Sequence, residues 1–165
     1  MKRKTGPLFV TLALATLFLI IGGTVMAQDI PADNMQIVLE KIKADKKLLV
    51  AENLQLTGTE AKAFWPVYEG YQDELFLLRT RTLKLIEDYT DAYGTMTNTT
   101  AKKLLDEYMT IEMLRLELRK AYLPKFRKVL PDIKVVRYYQ IENKINAAID
   151  YELGARIPLI KTDKK

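Results

Sequence analysis

The side chains that perform most protein chemistry are missing from this sequence. The 165-residue chain contains no cysteine and no histidine. These absences exclude disulfides, thiolate and imidazole zinc sites, cysteine nucleophiles and histidine-based acid–base pairs. Acid–base catalysis would fall to Asp, Glu, Lys or Tyr, and these residues form no recognisable catalytic pattern here. We therefore expect a non-enzymatic protein with no catalytic residues, no metal and no cofactor.

Acidic residues on both sides of Gly94 form the first charged cluster. Its members are Glu87, Asp88, Asp91, Asp106 and Glu107. Brought together at one turn, these carboxylates could bind a hard cation such as Ca²⁺. The regular ligand spacing of a calcium-binding loop is absent, and a solvated acidic surface is the interpretation we favour.

Basic residues form the second cluster, between positions 115 and 137. We select seven of these cations, together with Trp65, as a possible partner-binding surface. The cations are Arg115, Arg119, Lys120, Lys125, Arg127, Lys128 and Lys134. Such a surface would suit acidic partner segments or lipid headgroups. The interpretation we favour for the cations is plain solubility with a favourable helix-dipole interaction, and Trp65 would either cover the core or contact a partner.

The first 27 residues have the pattern of an export signal. Lys2, Arg3 and Lys4 precede an apolar stretch from Leu8 to Ile21, and a Val25-Met26-Ala27 sequence follows a glycine pair. A basic start, an apolar body and small residues at the end are typical of a signal peptide. We predict cleavage after Ala27 and a periplasmic location. The alternative is an uncleaved N-terminal membrane anchor, because about 20 apolar residues can span a bilayer.

Cleavage of the export signal would lower the net positive charge of the chain. The whole chain carries a formal charge of +5, from 26 Lys+Arg and 21 Asp+Glu. Removing residues 1–27 removes three cations and no anions, which leaves a net charge of +2. A near-neutral exported chain lacks the basic excess of nucleic-acid-binding proteins. We therefore expect no nucleic acid partner.

The rest of the chain predicts four helices between residues 34 and 154, after a flexible lead-in at 28–33. Helix 1 covers about 34–53, with Lys41, Lys43, Lys46 and Lys47 outside. Helix 2 begins at Thr57, which forms a capping box with Glu60, and ends near Tyr93 with Gly94 left-handed at its end. Apolar residues at alternating spacings of three and four follow from 61 to 89, and Pro66 should kink the helix.

Helices 3 and 4 complete the predicted fold. Helix 3 begins after one of the polar residues 97–100, carries Tyr108 and Ile111 in its apolar stripe, and is kinked by Pro124. Helix 4 starts with Pro131 at its first position, contains Ile133 and Val136 in its apolar stripe, and stops at Gly154. Short connections require antiparallel neighbours. We predict an all-α, four-helix bundle around an antiparallel helical hairpin with kinked long helices, and a partly disordered tail at 155–165.

One cation in helix 4 sits beside the predicted core. Arg137 shares a face with Gln140 and Lys144 by three–four spacing. A partly buried arginine needs a carboxylate partner, and the candidates on helix 2 are Glu60, Glu69 and Glu74. A structural network is the interpretation we favour over a binding site.

The mature chain resembles the Spy/CpxP-like periplasmic proteins, the LTxxQ motif group. Leu56-Thr57-Gly58-Thr59-Glu60 matches the motif with Glu in place of Gln, and Val129 to Lys134, with Leu130-Pro131, stands where a second motif falls but lacks its Thr. The resemblance implies a helical, often dimeric protein that acts as an ATP-independent chaperone, an envelope-stress modulator of a sensor kinase, or a metal sensor. The metal-sensing branch uses histidine ligands, which this chain lacks.

These observations lead to one functional expectation and one alternative. We expect an exported helical protein that binds unfolded or envelope proteins in a chaperone-like or stress-related role, and the resemblance implies that it forms a homodimer. The alternative is a regulatory subunit that docks on the periplasmic domain of a membrane sensor. The least favoured hypothesis is that the protein binds a small ligand or a metal.

Overall fold

The computed structural model describes the backbone of residues 32–162, and the side chains of residues 42–162 except that of Arg156. The predicted export signal lies outside the described residues. Four helices are present, α1 (Ala32–Leu54), α2 (Gly58–Ala92), α3 (Asn98–Val129) and α4 (Asp132–Arg156), with a 3₁₀ turn at Tyr93–Thr95. The described part contains no strand, which confirms the all-α prediction. No helix in this range is long and apolar enough to cross a membrane.

Residues Gln36–Lys165 form one unit, and every contact described below lies within it. Of the residues before it, only 32–35 at the start of α1 are described. This unit begins inside α1, so the first helix belongs mostly to the bundle.

Aromatic contacts fix the direction of α3 against α2. The ring of Phe64 lies 5.7 Å from that of Phe126, and further along α2 Arg81 pairs with Glu107. Residue numbers therefore rise along α2 as they fall along α3, so the two helices form an antiparallel hairpin. The five-residue connection at 93–97 is short enough to require this antiparallel arrangement.

The two outer helices pack on this hairpin with alternating direction. Lys47 of α1 pairs with Glu69 of α2 at 2.6 Å, while Lys43 pairs with Asp73, so α1 runs antiparallel to α2. The ring of Tyr138 on α4 lies 5.3 Å from Phe64 near the start of α2. The chain thus forms an up-down-up-down four-helix bundle.

The core is concentrated at the end of the bundle away from the 93–97 connection, and it is rich in aromatic rings. Its fully or nearly fully buried rings are Phe64, Tyr68, Tyr71, Tyr122, Phe126 and Tyr138. Offset and edge-to-face ring pairs of this kind contribute about 0.5–1.5 kcal/mol each beyond area burial. The absence of a side chain at Gly70 leaves room for the Tyr122 hydroxyl to pack against α2, because a Cβ at Gly70 would lie only 3.1 Å from that oxygen.

The predicted capping box of α2 is present. The Glu60 backbone N–H donates to Thr57 Oγ1 at 3.3 Å, and the Thr57 backbone N–H donates to Glu60 Oε2 at 2.8 Å. Among the candidates for the start of α3, Thr97 is the cap, and it accepts from the Thr100 N–H at 3.1 Å. Each cap satisfies an N–H that the first helical turn leaves without a partner.

Several predicted helix ends are wrong by a few residues. Gly94 is not left-handed, because α2 closes through the 3₁₀ turn. Gly154 lies inside α4, which continues to Arg156, and Pro131 is the residue before the first helical position. The start at Ala32 absorbs the last two residues of the predicted lead-in. Glycine weakens a helix by only about 1 kcal/mol, so neighbouring packing decides whether the helix stops.

Both predicted kink sites lie inside continuous helices. Pro66 is within α2 and Pro124 within α3, and each side chain is exposed. Each proline leaves one carbonyl of the preceding turn without its helical partner. On the solvent side of a bundle, water can satisfy that carbonyl, which explains why neither proline ends its helix.

Two side-chain placements differ from the predictions. Lys46 is buried, not outside. On α4, Ile133 is 79% exposed and Val136 is also exposed, whereas Val135 and Tyr138 are buried. The predicted apolar stripe was therefore displaced by one residue at the start of α4, because the apolar residues there are consecutive and do not mark a single face.

Candidate functional site

The predicted basic surface divides into structural and exposed members. Arg115 belongs to the first kind: its guanidinium donates at 2.8 Å both to Glu112 on its own helix and to Thr82 Oγ1 on α2. Its side chain is half-buried in the hairpin. This cation therefore joins α3 to α2.

Lys134 is also occupied within the fold. Its ammonium lies 2.5 Å from Glu60 Oε2 and donates to the backbone carbonyl of Gln55 at 3.0 Å. The hydrogen bonds from Lys134 and from the Thr57 backbone lower the pKa of Glu60 to about 2. Lys134 thus ties α4 to the loop between α1 and α2.

Arg119 and Trp65 lie at the edge of the core. Arg119 is half-buried, and its carbonyl accepts from the Tyr139 hydroxyl at 3.3 Å. The Trp65 ring packs edge-on against Phe64 and Tyr68, with centroids 5.1 and 5.3 Å away. Trp65 therefore covers the aromatic core, the first of its two predicted roles.

The other four cations project from the last turns of α3 into solvent. They are Lys120, Lys125, Arg127 and Lys128. Lys125 stands 3.7 Å above the Tyr122 ring, and Arg127 forms an exposed pair with Asp132 at 2.8 Å. Within the described residues, Lys120 and Lys128 form no ion pair. We call these four residues the basic end of α3.

Arg137 does not have the predicted carboxylate partner. It is exposed, and its Nε donates to the backbone carbonyl of Asn53 at 2.7 Å. The three candidate carboxylates are used elsewhere: Glu60 by Lys134, Glu69 by Lys47 and Glu74 by the Tyr122 hydroxyl. Since Arg137 remains in solvent, it needs no counter-ion.

The acidic cluster near the 93–97 connection is largely neutralised by neighbouring cations. Glu107 pairs with Arg81, Asp88 with Lys84 at 3.0 Å and Asp106 with Lys102 at 2.5 Å. No group of three or more potential ligands that could hold a metal ion occurs among the described residues. These carboxylates therefore form exposed helix-surface pairs, which contribute little to stability.

Sequence reasoning missed an apolar surface on α3. Five large side chains on the side of α3 away from the core are between 48% and 57% exposed: Leu105, Tyr108, Met109, Met113 and Leu116. We call them the α3 outer face. The available signal was that α3 is apolar on more than one side, although one stripe of Ile111, Leu118 and Tyr122 suffices for the core. Tyr108, predicted in the core stripe, belongs to the outer face.

The outer face and the basic end are continuous along α3. Lys120 follows Leu116 by one helical turn, so the two side chains share a side of the helix. From Leu105 to Leu116 the face is about 16 Å long at 1.5 Å per residue. The combined surface offers apolar contact along its length and positive charge at one end.

A buried polar network, also missed from the sequence, crosses the interior. The Lys46 ammonium pairs with the Glu142 carboxylate, and both side chains are almost fully buried. Gln72 Nε2 donates to Glu142 Oε2 at 3.3 Å and to the Tyr138 hydroxyl at 3.4 Å. The network thus joins α1, α2 and α4. A run of lysines in helix 1 gave no sign that one of them points inward.

Electrostatics in this network follow from burial. Desolvation lowers the pKa of Lys46 to about 8, although the Glu142 charge acts in the opposite direction. Burial likewise raises the pKa of the Tyr138 and Tyr68 hydroxyls. Arg79 completes the network by donating to Asn146 Oδ1 at 2.7 Å. All the charged groups are held by protein partners, which is the arrangement of a structural network.

Comparison with known proteins gives no relative: the chain matches no protein-family model, no curated protein and no solved structure. The resemblance to the Spy/CpxP-like proteins therefore stays a prediction, supported by short motifs alone.

Proposed function

We propose that this chain is an exported, non-enzymatic protein that binds other polypeptides in a chaperone-like manner through the α3 outer face and the basic end of α3. The observation that carries the proposal is the row of exposed apolar side chains on the α3 outer face, which one charged residue, the Arg115-paired Glu112, interrupts. Contiguous apolar patches on a soluble surface mark interaction sites. This one runs directly into Lys120, which forms no ion pair among the described residues.

The composition of the surface favours a variable partner over a single rigid one. Met109 and Met113 occupy its centre, and methionine adapts to differently shaped apolar partners because its side chain is unbranched and polarizable. The basic end attracts acidic segments and adds an ionic-strength-dependent component to association. We expect unfolded segments that combine apolar and acidic side chains to bind best.

The experiment is an aggregation assay with matched surface variants. The purified chain should suppress aggregation of a denatured client enzyme at stoichiometric ratios without ATP. The variant Met109→Ser/Met113→Ser/Leu116→Ser should lose most of this effect. The control Leu77→Ser/Ile133→Ser/Val136→Ser removes the same number of exposed apolar side chains elsewhere and should keep it.

Circular dichroism and urea unfolding establish that both triple variants are folded. Equal suppression by both would place the activity off the α3 outer face and contradict the proposal. The regulatory alternative is distinguished by affinity capture from an envelope extract. One dominant partner, bound with fixed stoichiometry, would favour docking on a sensor domain over chaperone activity.

A further inference from the structure

The segment after α4 is held against the end of α2 by two tyrosines. Ile157 leaves the helix with extended dihedral angles, φ −90° and ψ 112°. The hydroxyl of Tyr89 then donates to the Pro158 carbonyl at 2.6 Å, and that of Tyr93 donates to the Leu159 carbonyl at 3.0 Å. The two tyrosines are four positions apart, with ring centroids separated by 5.9 Å. Together they form hydrogen bonds with two successive residues of a non-helical peptide.

The two tyrosine hydroxyls bind the main chain of the segment and not its side chains. Both acceptors are backbone carbonyls. The Leu159 side chain is 91% exposed, so the residue type at position 159 does not affect these two hydrogen bonds. Pro158 is exposed as well, and only Ile157 is half-buried. A site that uses main-chain hydrogen bonds accepts many sequences, which is how several peptide-binding proteins obtain affinity without strict specificity.

We propose that Tyr89 and Tyr93 form a binding site for non-helical segments of other polypeptides, and that residues 157–162 occupy this site as a tethered competitor. The ligand class is a short non-helical peptide stretch, bound through two adjacent carbonyls. The tethered segment stands in for that ligand in the structure. Tethering gives it an effective concentration of the order of millimolar, so a foreign peptide binds only weakly until the segment is released.

The site goes beyond the function proposed above, because it uses Tyr89 of α2 and Tyr93 of the 3₁₀ turn and none of the α3 outer face. The two proposals therefore fail separately. Loss of client protection in the Met109→Ser/Met113→Ser/Leu116→Ser variant tests the outer face, whereas peptide binding that depends on Tyr89 and Tyr93 tests the tyrosine site.

The test uses the full chain and a fluorescein-labelled peptide with the sequence of residues 155–162. Ile157→Gly/Pro158→Gly releases the tethered segment by removing its half-buried side chain and its fixed φ angle. By fluorescence anisotropy we expect this variant to bind the peptide at least tenfold more tightly than the unsubstituted chain. Adding Tyr89→Phe/Tyr93→Phe should abolish the gain, and adding Tyr151→Phe, an exposed tyrosine, should leave it.

Two results overturn the proposal: a released segment with no gain in peptide affinity, or a gain that persists in the Tyr89→Phe/Tyr93→Phe variant. The amide ¹⁵N chemical shifts of Leu159 and Ile160 report release, because each amide nitrogen belongs to a peptide group whose carbonyl accepts one of the two tyrosine hydrogen bonds. A second measurement needs no released variant. Millimolar unlabelled peptide added to the ¹⁵N-labelled unsubstituted chain should shift the Leu159 and Ile160 amide signals to unstructured positions, and unmoved signals would also overturn it.

Discussion

The ammonium of Lys46 on α1 and the carboxylate of Glu142 on α4 form an ion pair whose two side chains are only 2% and 1% exposed. A buried pair of this kind gains less from Coulomb attraction than its two charges lose by leaving water, unless further hydrogen bonds satisfy the remaining polar atoms. Gln72 and Asn146 supply such bonds here. The pair therefore fixes which face of α1 packs inward, since only one rotation of α1 brings Lys46 to Glu142.

Removing one partner of this pair should destabilise the bundle strongly. Lys46→Met leaves the Glu142 charge buried without a counter-ion, and we expect the free energy of unfolding to fall by about 3–5 kcal/mol. The double variant Lys46→Met/Glu142→Leu should recover most of that loss. Urea unfolding followed by circular dichroism measures both.

The neighbouring Lys47 provides the control. It is exposed and pairs with Glu69 in solvent, so Lys47→Met should change stability by less than about 1 kcal/mol. If Lys46→Met were as mild as Lys47→Met, the buried pair would have no part in holding α1.

Stability should increase with pH above pH 8 and decrease again above pH 10. The pKa of Lys46 is about 8 in the fold against 10.5 when exposed, so between these values the unfolded chain binds more protons and its formation is disfavoured as pH rises. The neutral amine still donates to Glu142, which methionine cannot do. Burial raises the pKa of tyrosines such as Tyr138 above that of an exposed tyrosine. Above pH 10 the folded chain therefore binds more protons than the unfolded chain, and the free energy of unfolding falls as pH rises.

This pH profile is measured by urea unfolding at intervals between pH 7 and 11. In Lys46→Met/Glu142→Leu the rise above pH 8 should disappear, while the decrease above pH 10 remains. A rise of equal size in the double variant would assign it to another group.

The capping box should make the fold sensitive to acid through Glu60. Its pKa is lowered from 4.5 to about 2 by Lys134 and Thr57. Its contribution is therefore present above pH 4.5 and lost as pH falls towards 2. Glu60→Gln should flatten the acid side of the stability profile, whereas Glu52→Gln, an exposed carboxylate on α1, should not.

The basic cluster should separate into two classes under mutation. Lys134→Ala breaks the contacts to Glu60 and Gln55 and should lower the melting temperature without weakening client binding. Lys120→Ala/Lys128→Ala should weaken binding of an acidic unfolded client, most clearly at low salt, without lowering the melting temperature. The two readouts are thermal unfolding and client anisotropy, and the same loss of both in each variant would remove the distinction.

The sequence predicted the parts of this fold that depend on local chemistry. The Thr57–Glu60 box and the four helices follow from capping residues and apolar spacing. It did not predict Lys46, because burial of one lysine among several depends on a carboxylate 96 positions away. It also misplaced the start of the α4 stripe, since Val135 and Val136 are chemically equal and only packing decides which one is buried.

For the candidate site the limit was of another kind. The charge pattern predicted a binding surface that includes Arg115 and Lys134. Both side chains instead bind other residues of the fold. Spacing assigned Tyr108 to the core, and the apolar residues beside it received no role. An exposed apolar face can be found only after the core has been identified, because both faces of α3 carry large apolar side chains.

The exposed thioethers of Met109 and Met113 also give the outer face a redox chemistry. Oxidation to the sulfoxide converts a flexible apolar side chain into a polar one, and neither methionine contributes to the buried core. Peroxide treatment should therefore abolish client protection with no change in the urea midpoint, and a Met109→Leu/Met113→Leu chain should resist it. A protein that contains no cysteine would then still lose its binding surface under oxidising conditions, and a methionine sulfoxide reductase would be needed to restore it.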